Sequence, residues 1–120
     1  MSEKLQTLII EDEELARNLL RSYLRDHPDI EIIGECENGF DGVKSINEKK
    51  PDLVFLDIQM PKITGFEMIE LLDYKPQIIF TTAYDQYALK AFELNAVDYL
   101  LKPFSKDRLL SAIEKVQHRI

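Results

Sequence analysis

A length of 120 residues, 45% of them hydrophobic, suits one globular domain with its own core and excludes a disordered chain. The net charge of −7 argues against a surface that binds nucleic acid unaided, and a single cysteine excludes an internal disulfide. The first residues lack a signal-peptide pattern, and no apolar run approaches the roughly 20 residues that cross a bilayer. We therefore expect a cytoplasmic protein that is not attached to a membrane.

Five short apolar segments are predicted to be strands, and a helical pattern follows each of them. The predicted strands are Leu5–Ile10, Ile30–Cys36, 53–57, Gln77–Thr82 and 97–101. The second strand alternates apolar residues with glutamates, which is typical of a sheet edge. The three most apolar strands are expected at the centre of the sheet, buried on both faces.

The helices are predicted from apolar residues that recur at helical spacing. The residues expected to face the core are Leu15, Leu19, Leu20 and Tyr23 in the first helix, Phe40, Val43 and Ile46 in the second, Phe66, Ile69 and Leu72 in the third, Tyr87, Ala88, Ala91 and Phe92 in the fourth, and Leu109, Ile113, Val116 and Ile120 in the fifth. The acidic run 11–14, Asn38, Asp85 and Ser105 are expected to cap the first, second, fourth and fifth helices.

Strict alternation of strands and helices predicts an α/β domain. Such chains form a parallel sheet with right-handed crossovers and helices on both faces. Central apolar strands and a polar second strand at the edge favour the order 2-1-3-4-5. This is the flavodoxin-like, doubly wound arrangement, here with five strands and five helices. Residues 1–120 are expected to form this single domain.

Polar side chains follow four of the five predicted strands. Glu11 and Asp12 follow the first strand, Asp57 ends the third, Thr82 ends the fourth, and Lys102 follows the fifth. In an open parallel sheet the carboxyl ends of the strands share one edge, and ligands bind there. We therefore expect these five side chains to converge.

Three carboxylates in one cleft repel one another. Two such charges about 5 Å apart, at an effective dielectric constant near 20, cost roughly 3 kcal/mol. Either one carboxyl group is protonated or a cation lies among them, and oxygen ligands favour Mg²⁺, or Mn²⁺ in its place. A metal, Lys102 and the Thr82 hydroxyl would suit phosphoryl transfer in which Asp57 becomes an aspartyl phosphate.

Four motifs, in this order along the chain, resemble the signature of response-regulator receiver domains in two-component signalling. They are Glu11-Asp12-Glu13, Asp57-Ile58-Gln59-Met60-Pro61, Thr82-Ala83 and Lys102-Pro103-Phe104. The resemblance covers essentially the whole chain. The run 81–104 is similar to receivers of the LytTR class, also called LytR/AlgR.

The resemblance implies a phosphoacceptor and a metal site. Asp57 would be phosphorylated by a histidine kinase, or slowly by small phosphodonors, and would later dephosphorylate itself. Asp12 would bind the metal directly, Glu11 would act largely through a bound water, and Gln59 would supply its backbone carbonyl. Glu11 departs from the commoner aspartate at its position, and its extra methylene would alter the metal geometry.

The resemblance also implies a switch and an output. Thr82 matches the switch hydroxyl, Tyr99 the aromatic residue that swings inward with it, and Lys102 the lysine that grips the phosphoryl group. The Lys102–Pro103 peptide bond would be cis. The output would be dimerisation through the face of the fourth helix, fifth strand and fifth helix. A DNA-binding domain is expected beyond Ile120, with a free-standing receiver as the alternative.

The hydrolytic water is expected to pass between two side chains near the phosphoacceptor. Gln59 and Tyr84 should flank its path, and the bulk of Tyr84 should prolong the life of the phosphoprotein. The chain would then be a phosphorylation-activated signalling switch that carries a signal on Asp57, with turnover of a substrate secondary.

Three other functions are alternatives to this one. A phosphatase of the haloacid-dehalogenase type needs a second aspartate two residues after the nucleophile, where this chain has Gln59. A flavin or nucleotide binder needs a Gly-, Ser- or Thr-rich phosphate loop after the first strand, where residues 11–14 are acidic. A receiver-like module that binds partners without phosphorylation is the remaining alternative.

Overall fold

The structure is a computed structural model that describes residues 4–119, and it confirms the predicted α/β architecture. One parallel sheet has the order β2-β1-β3-β4-β5. The strands are β1 (Leu5–Ile10), β2 (Ile30–Cys36), β3 (Leu53–Asp57), β4 (Gln77–Thr82) and β5 (Asp98–Leu101). The helices are α1 (Glu14–Leu24), α2 (Gly39–Lys49), α3 (Gly65–Glu70), α4 (Ala88–Glu93) and α5 (Lys106–Arg119), and a 3₁₀ turn (Asp85–Tyr87) precedes α4.

Two apolar layers cover the sheet, one on each face. Helices α1 and α5 pack over one face, where Phe55 and Ile79 are buried. Helices α2, α3 and α4 pack over the other, where Leu56 and Phe80 are buried. Every residue of β3 is buried, which explains its continuous apolar run and places its last residue, Asp57, where the core opens at the sheet edge. In the described part of the chain, no helix is long and apolar enough to span a membrane.

The predicted core faces of three helices are partly wrong. The exposed side chains among them are Leu15, Leu19, Phe40, Ala88 and Phe92, and Ile120 lies outside the described residues. In α1 the buried stripe is instead Arg17, Leu20 and Leu24, so Leu15 falls on the opposite side of the helix and is 83% exposed. In the six-residue α4 only Ala91 is buried, because a helix of fewer than two turns presents few residues to the sheet.

Two of the predicted helix caps are confirmed. The Asn38 side chain accepts a hydrogen bond from the backbone N–H of Asp41 at 2.9 Å. The Ser105 hydroxyl accepts one from the backbone N–H of Arg108 at 3.1 Å. Each bond satisfies a donor that the first turn of a helix leaves without a partner.

The other two predicted caps are wrong. Glu13 holds the N-cap position of α1 but makes no capping hydrogen bond with its side chain. Asp85 is the first residue of the 3₁₀ turn, and Tyr84 precedes it at the N-cap position. The acidic run is engaged elsewhere, since the Glu11 carboxylate is buried at the sheet edge and accepts a hydrogen bond from the backbone N–H of Glu13 at 3.2 Å.

Candidate functional site

Three carboxylates meet at the carboxyl edge of the sheet. Asp57 ends the central strand β3, and Glu11 and Asp12 follow the adjacent strand β1. Each residue offers an oxygen, and these oxygens lie within 4.8 Å of one another. Glu11 is 1% exposed and Asp57 is 4% exposed, so water solvates them poorly. The sequence-based expectation that these groups would converge is therefore confirmed.

Lys102 brings a positive charge into this cluster. Its ammonium nitrogen lies 2.5 Å from Glu11 Oε1 and 3.7 Å from Asp57 Oδ2, with Glu13 Oε1 at 3.8 Å. Its backbone N–H donates to the Thr82 carbonyl at 2.7 Å, which fixes the end of β5 against β4. The peptide bond that follows, Lys102–Pro103, adopts the cis form that the resemblance implied.

The pKa values of the cluster reflect an excess of negative charge. Burial raises the pKa of Asp57 to about 8, and the hydrogen bond and charge of Glu11 act in the same direction. The Lys102 charge opposes this only in part. Burial lowers the pKa of Lys102 itself, but hydrogen bonding to Glu11 and the Asp57 charge outweigh burial and raise it. Lys102 therefore stays cationic, and one cation does not offset three carboxylates.

The donor set fits a divalent metal ion. All three candidate ligands are carboxylates, and hard cations such as Mg²⁺ prefer oxygen ligands. A cation among them would favour the ionised carboxylate and so oppose the burial and the Glu11 charge that raise the pKa of Asp57. The backbone N–H of Gln59 donates to Asp57 Oδ1 at 3.3 Å, so the loop after β3 is folded close to the same carboxylate.

Thr82 and Tyr99 are connected through the backbone of one residue. The Thr82 side chain is buried, and its hydroxyl accepts a hydrogen bond from the backbone N–H of Tyr84 at 3.2 Å. The Tyr99 hydroxyl donates to the carbonyl oxygen of the same Tyr84. A movement of Thr82 would therefore act on the N–H side of a residue whose carbonyl oxygen Tyr99 holds.

Residues 7–114 match the family described as the response regulator receiver domain. The chain belongs to this family. It is 48% identical over 115 residues to the transcriptional regulatory protein BtsR of Escherichia coli K12, a match that covers 94% of this chain and 48% of that protein. It is 50% identical over 119 residues to a response regulatory protein of Vibrio cholerae, covering 96% of this chain and 50% of that protein.

The fold matches solved receiver domains as well. The response regulatory domain of protein mrkE from Klebsiella pneumoniae superimposes with a TM-score of 0.86 at 36% identity, covering 96% of this chain and 97% of that one. The chain spans about half the length of the curated relatives it matches. A receiver domain of a two-component response regulator is a signalling switch rather than a turnover enzyme.

The sequence did not predict the role of Arg17, which holds the backbone beside the acidic cluster of this receiver domain. Its guanidinium donates to the Glu11 carbonyl at 2.7 Å and pairs with Glu35 at 3.7 Å and Glu37 at 3.4 Å. The edge strand β2, which was expected to contribute nothing to the site, thus anchors the backbone that carries Glu11. An arginine within an apolar helical stripe would have been the only signal.

Sequence reasoning also missed the site contact of Tyr87, which was predicted only as a core residue. The Gln59 side-chain amide donates to the Tyr87 hydroxyl at 2.6 Å. The two residues are 28 positions apart. They meet because β3 and β4 are adjacent and the loops that follow them leave the sheet side by side. Neither residue has a local pattern that could predict this contact.

An apolar cleft opens beside Lys102 on the receiver domain. It has a volume of about 310 Å³ and lies between the first turns of α1 and the residues that follow β5. Its apolar lining residues are Ala16, Leu19, Leu20, Pro103 and Phe104. An apolar surface thus adjoins the charged cluster on the side of Lys102.

Proposed function

We propose that Asp57 is the phosphoacceptor of this receiver domain. An Asp57 carboxylate oxygen attacks the phosphorus of a phosphohistidine on the kinase, and the P–N bond breaks. The electron pair goes to the ring nitrogen, and the imidazole takes up one proton from solvent and leaves neutral. The observation that carries the proposal is the position of Asp57 at the end of β3, among two further carboxylates within 4.8 Å and with Lys102 at 3.7 Å. No other carboxylate of the cluster ends a central strand.

Asp12, Asp57 and the backbone carbonyl of Gln59 would hold Mg²⁺ directly. When bound, the metal offsets negative charge on the phosphoryl oxygens. Glu11 would act through a bound water. In support, one Glu11 carboxylate oxygen binds Lys102 and the other accepts from the backbone N–H of Glu13, so both are already engaged within the protein.

Lys102 would change partner on phosphorylation. Its cationic ammonium group lies between Glu11 and Asp57, so a small movement would transfer it from a carboxylate to a phosphoryl oxygen. The apolar cleft beside Lys102 would receive the donor protein. A kinase that contacts Leu19 and Phe104 would bring its phosphohistidine next to the charged cluster.

The relay would begin at Thr82. A phosphoryl group on Asp57 would attract the Thr82 hydroxyl, which would then lose its bond from the Tyr84 backbone N–H. Because Tyr99 holds the carbonyl of Tyr84, the change would reach β5. This chain of hydrogen bonds supports the roles of Thr82 and Tyr99 as switch residues.

The output would be dimerisation through α4, β5 and α5 with a second copy of the chain, as in the LytTR class. Leu89 and Phe92 of α4 and Leu101 of β5 are exposed apolar residues on these elements, and Phe92 is 78% exposed. Relatives named as transcriptional regulators are about twice as long as this chain. We therefore propose that the single receiver domain of residues 1–120 controls an attached DNA-binding domain.

Intact-mass spectrometry tests the proposal. The protein is incubated with acetyl phosphate and Mg²⁺, and the expected result is a gain of one phosphoryl group. The gain should be absent in Asp57→Asn and absent from the parent in a chelator. If the parent gained none under any condition, the phosphoacceptor role would be wrong, and a module that binds partners without phosphorylation would remain.

A further inference from the structure

One hydrogen bond joins the two loops that border the phosphoacceptor. Gln59 lies two residues after Asp57, in the loop between β3 and α3, and Tyr87 ends the 3₁₀ turn that follows β4. The Gln59 Nε2 donates to the Tyr87 hydroxyl at 2.6 Å. Among the described residues this hydroxyl is the only hydrogen-bond partner of the Gln59 amide group.

The Tyr87 hydroxyl is held in place by aromatic packing. The Tyr87 ring meets the ring of Phe66 edge to face, at a centroid distance of 5.7 Å, and that of Tyr84 at 6.2 Å. Phe66 in turn packs edge to face on the fully buried Phe80 at 5.0 Å. Such contacts prefer defined geometries. The Tyr87 side chain, whose hydroxyl accepts the hydrogen bond from Gln59, is therefore held in place by the core.

We propose that Tyr87 prolongs the life of the aspartyl phosphate by keeping the Gln59 amide from assisting its hydrolysis. The inference rests on the proposed phosphorylation of Asp57. In the hydrolysis step a water oxygen attacks phosphorus, the P–O bond to Asp57 breaks, and its electron pair returns to the carboxylate. The water gives up one proton to solvent, and inorganic phosphate leaves.

A free glutamine amide beside a phosphoryl group can orient the attacking water, as a glutamine does in some nucleotide triphosphatases. The backbone of Gln59 already contacts the Asp57 carboxylate, so its side chain could reach a water near the phosphorus. The Tyr87 hydroxyl instead holds the amide across the gap between the loops. Tyr87 is therefore a positioning residue, which acts on the reaction only through Gln59.

The test compares the decay of the phosphoprotein in the parent, Tyr87→Phe, Gln59→Met and the double variant. Each protein is phosphorylated with acetyl phosphate and Mg²⁺ and then separated from the acetyl phosphate. Intact-mass spectrometry then follows the loss of the phosphoryl group over time. Tyr87→Phe removes one hydroxyl and keeps the ring contacts. We expect its phosphoprotein to decay about fivefold faster, which corresponds to about 1 kcal/mol.

The Gln59→Met background separates positioning from a general structural effect. Gln59→Met alone supplies the reference decay rate for this background, because it lacks the side-chain amide that Tyr87 would hold. Adding Tyr87→Phe to it should produce no further acceleration, since coupled residues give non-additive effects. An equal acceleration in both backgrounds would overturn the proposal.

Tyr74→Phe is the matched control. Tyr74 lies in the segment between α3 and β4, at the amino ends of the strands and so away from Asp57. Its partly buried ring also packs on the core. Its loss of a hydroxyl should not change the decay. A decay of Tyr87→Phe equal to the parent's would overturn the role of Tyr87 alone. A parent that takes up no phosphoryl group would overturn both this role and the proposed function.

Discussion

Asp57 and Asp98 have similar burial and opposite surroundings. Their side chains are 5% and 9% exposed. Asp57 lies among carboxylates, and burial together with Glu11 raises its pKa to about 8. Burial would also raise the pKa of Asp98, but hydrogen bonds from Arg108, the Tyr99 backbone and Lys115 outweigh it and lower the pKa to about 2. The partners, rather than the burial, decide which form each carboxyl group takes.

The difference separates a structural ion pair from a reactive site. Arg108 donates two hydrogen bonds of 2.8 Å to the two oxygens of Asp98, and Lys115 adds a third of 3.0 Å. These bonds tie β5 to α5 and leave Asp98 little capacity for another ligand. Asp57 has one cation at 3.7 Å and repulsive neighbours. If Asp57 accepts a metal and a phosphoryl group, as we propose, its surroundings must carry an excess of negative charge before they bind.

The largest expected effect is a loss of stability when the Asp98 ion pair is removed. If that loss were absent, the contrast between Asp98 and Asp57 would not hold. Asp98→Asn should lower the free energy of unfolding by about 3 kcal/mol, because it leaves Arg108 without its charged partner. Asp57→Asn should not lower it, because burial and Glu11 already disfavour the ionised form of Asp57 and the substituted amide has no ionised form. Urea denaturation of both variants measures the difference. Equal losses of stability in the two variants would contradict the account.

A pH series sharpens the comparison at Asp98. A depressed pKa stabilises the folded protein above the unfolded value of about 3.9. That stability is lost as the pH falls through the folded pKa of about 2. The free energy of unfolding of the parent should therefore exceed that of Asp98→Asn by about 2 kcal/mol less at pH 2 than at pH 5, a range that runs from above the unfolded pKa down to the folded one. A pH-independent difference between the two unfolding free energies would count against the ion pair.

Magnesium should act on only one of the two aspartate sites. Binding to the folded state alone stabilises it, so saturating Mg²⁺ should raise the free energy of unfolding of the parent by about 1–3 kcal/mol. Asp12→Asn should lose most of that gain, and Asp98→Asn should keep it. Thermal unfolding with and without the metal gives the answer. A gain retained in full by Asp12→Asn would place the metal elsewhere.

The smallest effect concerns the surroundings of the phosphoryl group. Tyr84 is partly exposed at the loop after Thr82, and its ring packs edge to face on Tyr87. Tyr84→Ala should speed loss of the phosphoryl group about twofold, less than 1 kcal/mol, because it opens the path of the water. Intact mass after removal of the phosphodonor follows the decay. A phosphoprotein that decays no faster than the parent would contradict the role of Tyr84.

Local patterns were sufficient to predict the sheet and the convergence of the acidic edge. The run Leu53–Leu56 is apolar because β3 is buried on both faces, and its central place brings Asp57 beside the residues that follow β1. The glutamates of β2 similarly indicated an edge strand. Parallel strands with short connections leave few arrangements, so strand order follows from burial.

Contacts between distant side chains could not be predicted in the same way. Gln59 meets Tyr87, and Arg17 meets Glu37, only because loops and helix ends become neighbours in the folded chain. The exposure of Leu15 and Phe92 was missed for a related reason. Several apolar stripes are possible on a helix rich in apolar residues, and packing against the sheet selects one of them.

The most direct test of the central claim is to locate the phosphoryl group. Borohydride reduces an aspartyl phosphate to homoserine, which survives digestion and can be assigned by peptide sequencing in a mass spectrometer. After treatment with acetyl phosphate and Mg²⁺, homoserine should be found at position 57, and none should form in Asp57→Asn. Reduction at Asp12 or Glu11 instead, or homoserine formation unaffected by Asp57→Asn, would contradict the role of Asp57 as the phosphoacceptor.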